Sequence, residues 1–236
     1  TSTGDPVSAI DDVTPIAFEE ASAAVGSLKD VNGVDGTYGI RYTLADAMGS
    51  GFTLDAMYVP KHGEGDAAAE KGTSGNVNPD GEDGFSIVVK GSVPMVEGLD
   101  IGVGYANLEN ATSSTSNDTD VDEGTAYINY AVGSFKIGAQ RGVVATGGTA
   151  ESLYDNEYYG VSYAISDNLS ISYNEIESTK ANDTVGDRVA QEFDSLSLSY
   201  TSGGMTIGIL DSDCSNCSYT LNRDQSARAI QMTVAF

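Results

Sequence analysis

Tryptophan is absent, histidine occurs once, cysteine twice and proline five times, and 11 basic residues stand against 35 acidic ones. Each scarcity excludes something. Scattered cations within a net charge of −24 leave no basic footprint for a phosphate backbone, so nucleic-acid binding is excluded. No stretch approaches the roughly 18 consecutive apolar residues of a transmembrane helix, which excludes a helical membrane protein. The single histidine, His62, lies in Lys61-His62-Gly-Glu-Gly-Asp66 and reads as an exposed loop residue. With only Ser74 or Ser86 as nominal nucleophiles, no hydrolase triad is in view. Cys214 and Cys217 sit in Asp-Ser-Asp-Cys-Ser-Asn-Cys-Ser with no second pair, so they read as inert loop residues, either free thiols or one small disulfide. Residues 1–12 lack the basic start and apolar core of a targeting signal.

What is present is apolar material and glycine. Hydrophobic residues make up 40% of the 236, enough to bury despite the charge, and 28 glycines with many Tyr, Ser and Thr favour strands and turns. The dominant signal is strict alternation. Ile230, Met232, Val234 and Phe236 share one face, opposite Ala229, Gln231, Thr233 and Ala235. The same pattern recurs at Leu196/Leu198/Tyr200, Leu169/Ile171/Tyr173, Met205/Ile207/Ile209, Tyr159/Val161/Tyr163 and Phe135/Ile137/Ala139. Upstream it continues at Ile128/Tyr130/Val132, Ile101/Val103/Tyr105, Phe85/Ile87/Val89, Phe52/Leu54/Ala56 and Tyr38/Ile40/Tyr42. Eleven strands of about ten residues follow.

Every second connection is long. Short turns near 45–50, 94–98, 133–134, 166–168 and 201–204 alternate with polar stretches near 61–83, 109–122, 142–154, 178–190 and 211–225. Short turns at one end and long loops at the other describe an all-β, antiparallel, up-and-down transmembrane barrel whose apolar face meets lipid. Two observations favour lipid over a sandwich core. Tyr and Phe gather near both ends of the apolar rows, as interfacial girdles do. Charges inside strands, Arg41, Asp55, Lys90, Asp100 and Lys136, mostly take the other parity, that of a lumen. Arg228 and Asp194 break it, at loop ends from which they could reach headgroups. The inward set of Ala, Gly, Ser and Thr, with Gly102, Gly104, Gly138 and Gly208 keeping the wall thin, argues for an open pore. A plugged barrel would carry larger inward side chains.

The last strand, Ala-Ile-Gln-Met-Thr-Val-Ala-Phe236, resembles the assembly signal of Gram-negative outer-membrane barrels. With the loop asymmetry, the chain resembles a general-diffusion porin of the alphaproteobacterial type. That resemblance implies a homotrimer of barrels with about 16 strands in the outer membrane, a loop folded into each lumen, and diffusion of ions and small hydrophilic solutes with no cofactor. Eleven strands would be the last eleven of sixteen. Residues 1–36 would then be the inward constriction loop, and residues 37–236 the strands of one barrel domain missing its N-terminal part. Thr14-Pro15 would start a short helix running through Ile16–Ala24.

In this frame function is sieving. Asp11, Asp12, Glu19 and Glu20 on the loop are expected to face Arg41, Lys90 and Lys136 on the wall across the narrowest section, with a mild cation preference overall. Carboxylates at Asp80, Glu82, Asp83, Asp118, Asp120 and Asp122 offer hard oxygens to Ca²⁺, bridging to neighbouring subunits or lipopolysaccharide. Asp118-x-Asp120-x-Asp122 is no EF-hand, because Glu123 stands where that loop needs glycine. The competing reading is a non-conducting or substrate-specific structural or adhesive barrel.

Overall fold

The computed structural model describes residues 4–34, 39–62, 81–110, 120–147, 152–182 and 188–235. The alternating segments form strands β1 (Ile40–Leu44), β2 (Phe52–Val59), β3 (Gly81–Ser92), β4 (Leu99–Asn110), β5 (Val121–Val132) and β6 (Phe135–Thr146). They continue as β7 (Ser152–Ser166), β8 (Leu169–Asn182), β9 (Arg188–Ser202), β10 (Met205–Ser215) and β11 (Gln225–Val234). All eleven pair in chain order in a single sheet, each antiparallel to the next. The short connections fall where the sequence placed them. In one of the three two-residue connections, Gly203 (φ +55°) and Gly204 (φ +87°) take consecutive left-handed positions, the geometry whose twist matches the flanking strands.

Register turns alternation into two surfaces. Ile128 pairs with Ile101 and Ala139, and Tyr130 with Leu99 and Ile137, so apolar residues stand beside apolar residues across strands. This outer face is open: Ile40 is 74% exposed, Ile230 69% and Val103 56%. An apolar surface spread over eleven strands is satisfied by hydrocarbon rather than water. The opposite, inner face is buried because residues 4–34 lie across it.

Three expectations are corrected. The strands outrun ten residues, reaching fifteen in β7 and β9 and consuming much of the stretches read as loops. Fifteen residues rise about 50 Å, more than an apolar band about 25 Å tall requires even with tilt. Beyond the band the polarity inverts, with charge outside and Tyr158, Ile176 and Phe193 buried on the inner face, so the apolar-outside alternation is lost while the hydrogen-bond ladder goes on. There the outer face carries carboxylates in register, Glu157 with Glu177 and Glu177 with Glu192, then Glu175 with Asp194 and Asp194 with Asp213. The girdle tyrosines below reach up to them: the Tyr159 hydroxyl donates to Glu157 (2.9 Å), that of Tyr173 to Asp194 and that of Tyr105 to Asp122. Second, no helix spans Ile16–Ala24. That stretch holds one 3₁₀ turn at Ala21–Ala23, with another earlier at Ser8–Ile10. Third, His62 is buried, its Nε2 2.6 Å from the Glu109 carbonyl oxygen and its backbone N–H on Glu82.

A charge on the outer face at mid-height separates lipid from a soluble surface. Val103→Arg is expected to destabilise the protein by about 2–4 kcal/mol in lipid bilayers, measured by reversible urea unfolding. An unchanged unfolding free energy would mean that this face does not meet hydrocarbon.

Candidate functional site: an inner strap and the wall beneath it

Residues 4–34 form a strap that crosses the inner face from β3 to β10 and returns to β2. Without helix or ladder, its backbone N–H and C=O groups need partners. Inward side chains of the strands supply them. On the outward leg the Val13 N–H donates to Gln140 Oε1 (3.0 Å), Asn129 Nδ2 to the Val13 carbonyl (2.7 Å), the Ala17 N–H to Ser172 Oγ (2.8 Å) and the Ala21 N–H to Asn174 Oδ1 (3.0 Å). On the return leg Gln191 Nε2 donates to the Ser27 carbonyl (2.9 Å) and Asn156 Nδ2 to that of Lys29 (2.7 Å). Glu123 Oε2 then accepts the N–H groups of Asn32 (2.9 Å) and Gly33 (2.6 Å).

Packing fixes the same path. Val7 and Ile10 bury against Val88, Ala106, Tyr127 and Val144, where Val31 joins them on the way back. Ala21, Val25 and Leu28 pack on Tyr158, Ile176, Phe193 and the bonded pair Cys214–Cys217. Val34 closes against Met57 and Val59. Between these contacts the wall thins to glycine. A Cβ on Gly208 would lie 2.2 Å from the Phe18 ring, and one on Gly138 2.5 Å from Pro15 Cδ. The inward side chains are therefore larger than the Ala, Gly, Ser and Thr expected of an open pore. They are committed to the strap, and the glycines are its bed.

This path explains the missing helix. From Gln140 on β6 to Ser197 on β9, where the Phe18 N–H is received at 3.3 Å, the strap crosses three strand spacings, about 14 Å. Residues 13–18 coiled as α-helix would advance only about 9 Å. An extended chain covers the distance and leaves its N–H groups pointing at the wall.

The strap's carboxylates converge. Asp11 and Asp12 on the outward leg and Asp30 on the return leg bring carboxylate oxygens all within 4.8 Å of one another. Gln140 Nε2 donates to Asp11 (2.8 Å), and the Tyr158 hydroxyl to Asp30 (2.6 Å). Burial, reinforced by the charges of Asp12, Asp30, Glu20 and Glu123, pushes the Asp11 carboxyl well above the usual carboxylate range. Burial also raises Asp5, although Ser86 and the N–H groups of Ser8 and Val7 oppose it. Three oxygen donors of this kind suit a hard cation such as Ca²⁺ or Mg²⁺.

The residues expected to build the constriction are distributed as follows. Glu20 is buried beneath the strap and Glu19 half-buried on it. Arg41 pairs with Asp55 on the adjacent strand and donates to the Gly4 carbonyl (2.8 Å), anchoring the strap's start. Lys90 lines a pocket beside Ile10 and Val13. Lys136 is exposed near the short turns, opposite Ala131 and Ser162. Of the carboxylates read as loop Ca²⁺ ligands, Asp80 and Asp118 lie outside the described residues. Glu82, Asp83 and Asp122 belong to strands, and Asp120 accepts the Asn110 N–H (2.9 Å). Sequence reasoning passed over the inward amides Asn129, Gln140, Asn156, Asn174 and Gln191. Their signal was an amide recurring on the polar parity of successive strands.

Asp11 carries a pH dependence whose sign is definite. A carboxyl with a higher pKa folded than unfolded binds its proton more tightly in the fold. Its contribution to stability is smallest above the raised pKa and grows as pH falls through that value. Asp11→Asn keeps an acceptor for Gln140 and removes the titration. The variant should gain melting temperature relative to wild type at pH 8 and gain less at pH 5, read in detergent by circular dichroism. Equal gains at both pH values would show that Asp11 does not titrate with docking.

A Gram-negative porin family model matches residues 2–209. No curated protein sequence matches the chain. Solved structures do. The anion-selective porin from Comamonas acidovorans superposes with a TM-score of 0.66 at 14% identity, over 98% of this chain and 70% of that one. OmpT (in-vitro folded), an outer-membrane protein of Vibrio cholerae, gives 0.60 at 12% identity, over 95% and 69%. For outer-membrane expressed OmpT of the same organism the values are 0.56 and 12%, over 82% of this chain and 61% of that one. At these identities the superpositions speak for the fold, an outer-membrane β-barrel wall. The family match covers most of the sequence, and the chain belongs to the Gram-negative porins of the bacterial outer membrane.

Proposed function

We propose that the protein forms a water-filled channel for passive diffusion of ions and small hydrophilic solutes, of the alphaproteobacterial general-diffusion type, with a mild cation preference. Its work is sieving rather than a reaction, and it requires no cofactor. The observation that carries this reading is the strap: thirty-one residues bedded on the inner wall, which bring Asp11, Asp12 and Asp30 together with Glu20 near enough to act on Asp11. Low-dielectric walls focus such charge on whatever passes. Asp11, Asp12, Glu19 and Glu20 then set the acidic side of the constriction, with Arg41, Lys90 and Lys136 on the wall. The Comamonas protein is named as anion-selective. A shared fold leaves selectivity to local charge, so the acidic strap is what turns this chain toward cations.

Partners follow from the two faces. The apolar band sits in lipid, and the protein assembles as a homotrimer; one of the similar OmpT structures is described as a trimer form. The outward carboxylate rows, with the strand-end residues Glu82, Asp83, Asp120 and Asp122, meet lipopolysaccharide through divalent cations such as Ca²⁺. The bulk of Tyr127, Tyr158 and Phe193 on the inner face favours the alternative, a non-conducting structural or adhesive barrel. Their engagement by the strap is what weighs against it.

Planar-bilayer recording of the native protein across a KCl gradient decides between these readings. Stepwise conductance with a reversal potential on the cation side is expected, and Asp12→Asn should move that potential toward the anion side. A folded, detergent-extracted protein that never gives steps would overturn the channel and favour the structural barrel. Steps with an anion-side reversal would overturn the cation preference alone.

A further inference from the structure

Between the outward leg of the strap and the short-turn end, the inner wall holds a pocket of about 470 Å³. Its roof is Ala9, Ile10 and Val13 of the strap. Its wall carries Lys90 on β3 and Asp100 on β4, with Thr53 and Tyr127 beside them. Lys90 pairs in register with Gly102, and Asp100 with Ser92, so the two charges occupy neighbouring diagonal positions on one face.

Yet no ion pair joins them among the described residues. Asp100 is oriented from the side: Oδ2 accepts the Tyr127 hydroxyl (2.6 Å) and Oδ1 that of Ser92 (3.3 Å). Gly102 makes this possible, because a Cβ there would lie 2.3 Å from the Tyr127 ring. The other carboxylate in the field of Lys90, Asp55, is already taken by Arg41 and by Thr43 Oγ1 (3.0 Å). A cation and an anion thus share one water-accessible pocket without neutralising each other, beneath an apolar roof.

We propose that this pocket is a subsite for zwitterionic solutes, specifically α-amino acids with apolar side chains. The assignment rests on the channel reading and names a solute class for it. The solute carboxylate lies on the Lys90 ammonium, the solute ammonium on the remaining lone pairs of Asp100, and the side chain against Ile10 and Val13. A simple anion would meet Asp100 as a repulsion, and a simple cation would meet Lys90. A sugar hydroxyl hydrogen-bonds to either group but brings no opposite charge to it. A dipolar solute meets each charge with its opposite, and a volume of this size holds one with accompanying water.

The test uses the native, full-length protein in planar bilayers with L-leucine and, as an uncharged solute of matching shape, isocaproamide. Each half-blocking concentration is read from current interruptions, and the quantity compared is their ratio within one protein. Wild type should be blocked by leucine at a concentration about fivefold below that of the amide, the scale of one exposed charge contact. Lys90→Met and Asp100→Asn should each bring the ratio toward one. The exchange Lys90→Asp with Asp100→Lys, which keeps both charges, should restore it. A ratio near one in wild type, or one that survives both single substitutions, overturns the subsite while leaving the channel intact. A protein without conductance overturns the channel reading instead. Calorimetric titration of leucine into the detergent-extracted protein then reads the pocket directly, and absence of saturable binding there overturns the subsite as well.

Discussion

An irregular chain segment inside a barrel must have its backbone polar groups satisfied, and this constraint organises the inner half of the structure. Thirty-one residues of strap bring N–H and C=O groups that, apart from two short 3₁₀ turns, no helix or sheet ladder absorbs. Buried without partners, each would cost about 1–3 kcal/mol. The wall therefore carries an acceptor or donor wherever the strap passes: Asn129 and Gln140 early, Ser172 and Asn174 in the middle, Asn156 and Gln191 on the return. Glu123 takes two N–H groups at once because consecutive amides at Asn32 and Gly33 point the same way. The inner polarity of the strands thus serves the strap as well as water.

The outer half obeys a different rule and was the more legible. Lipid demands an apolar side chain at every second position over a fixed height, so period, parity and strand count can be read from rows such as Ile128/Tyr130 and Ile230/Met232. The turns were legible for a different reason, since Gly203-Gly204 readily takes the consecutive positive φ that a tight hairpin turn demands and other residues rarely adopt. Legibility failed where the demand stops. Past the girdle the strands run on with their polarity inverted, Glu157, Glu175 and Glu177 outward and Tyr158 and Ile176 buried inward, and the stretches 142–154 and 178–190 looked like loop because no sustained apolar row marks them. The ladder extends regardless, held by backbone hydrogen bonds that leave no mark on the pattern.

The strap was half legible. Its acidity is plain in Asp11, Asp12, Glu19 and Glu20 and an inward path was expected only from the family resemblance, while Thr14-Pro15 followed by an alanine-rich run carries a helix signal that tertiary geometry overrides. A short helix is marginal alone, whereas hydrogen bonds offered by Ser172, Asn174 and Ser197 reward only an extended chain. Reading the glycines as wall-thinning was right about space and silent about its occupant. Gly138 and Gly208 admit Pro15 and Phe18, a correspondence between residues more than a hundred positions apart that one sequence cannot display. The disulfide belongs with these. Cys214 and Cys217 looked inert in their polar surroundings, and only the fold shows them beneath Val25 and Leu28.

Charge is where counting misleads most. A formal −24 suggests an overwhelming pull on cations, yet the carboxylates differ in what they present to a solute. Asp55, Asp155 and Asp211 are paired with arginines. Asp11 holds its proton more firmly than a free carboxyl, and the outward rows on β7–β10 face away from the lumen. The groups on the inner face differ by level: Asp11, Asp12 and Asp30 of the strap lie in one cluster, and Lys90 and Asp100 line the pocket below it with no ion pair between them among the described residues. In the proposed channel, preference between ions and response to dipolar solutes belong to different heights of the same wall, set by residues that net charge cannot tell apart.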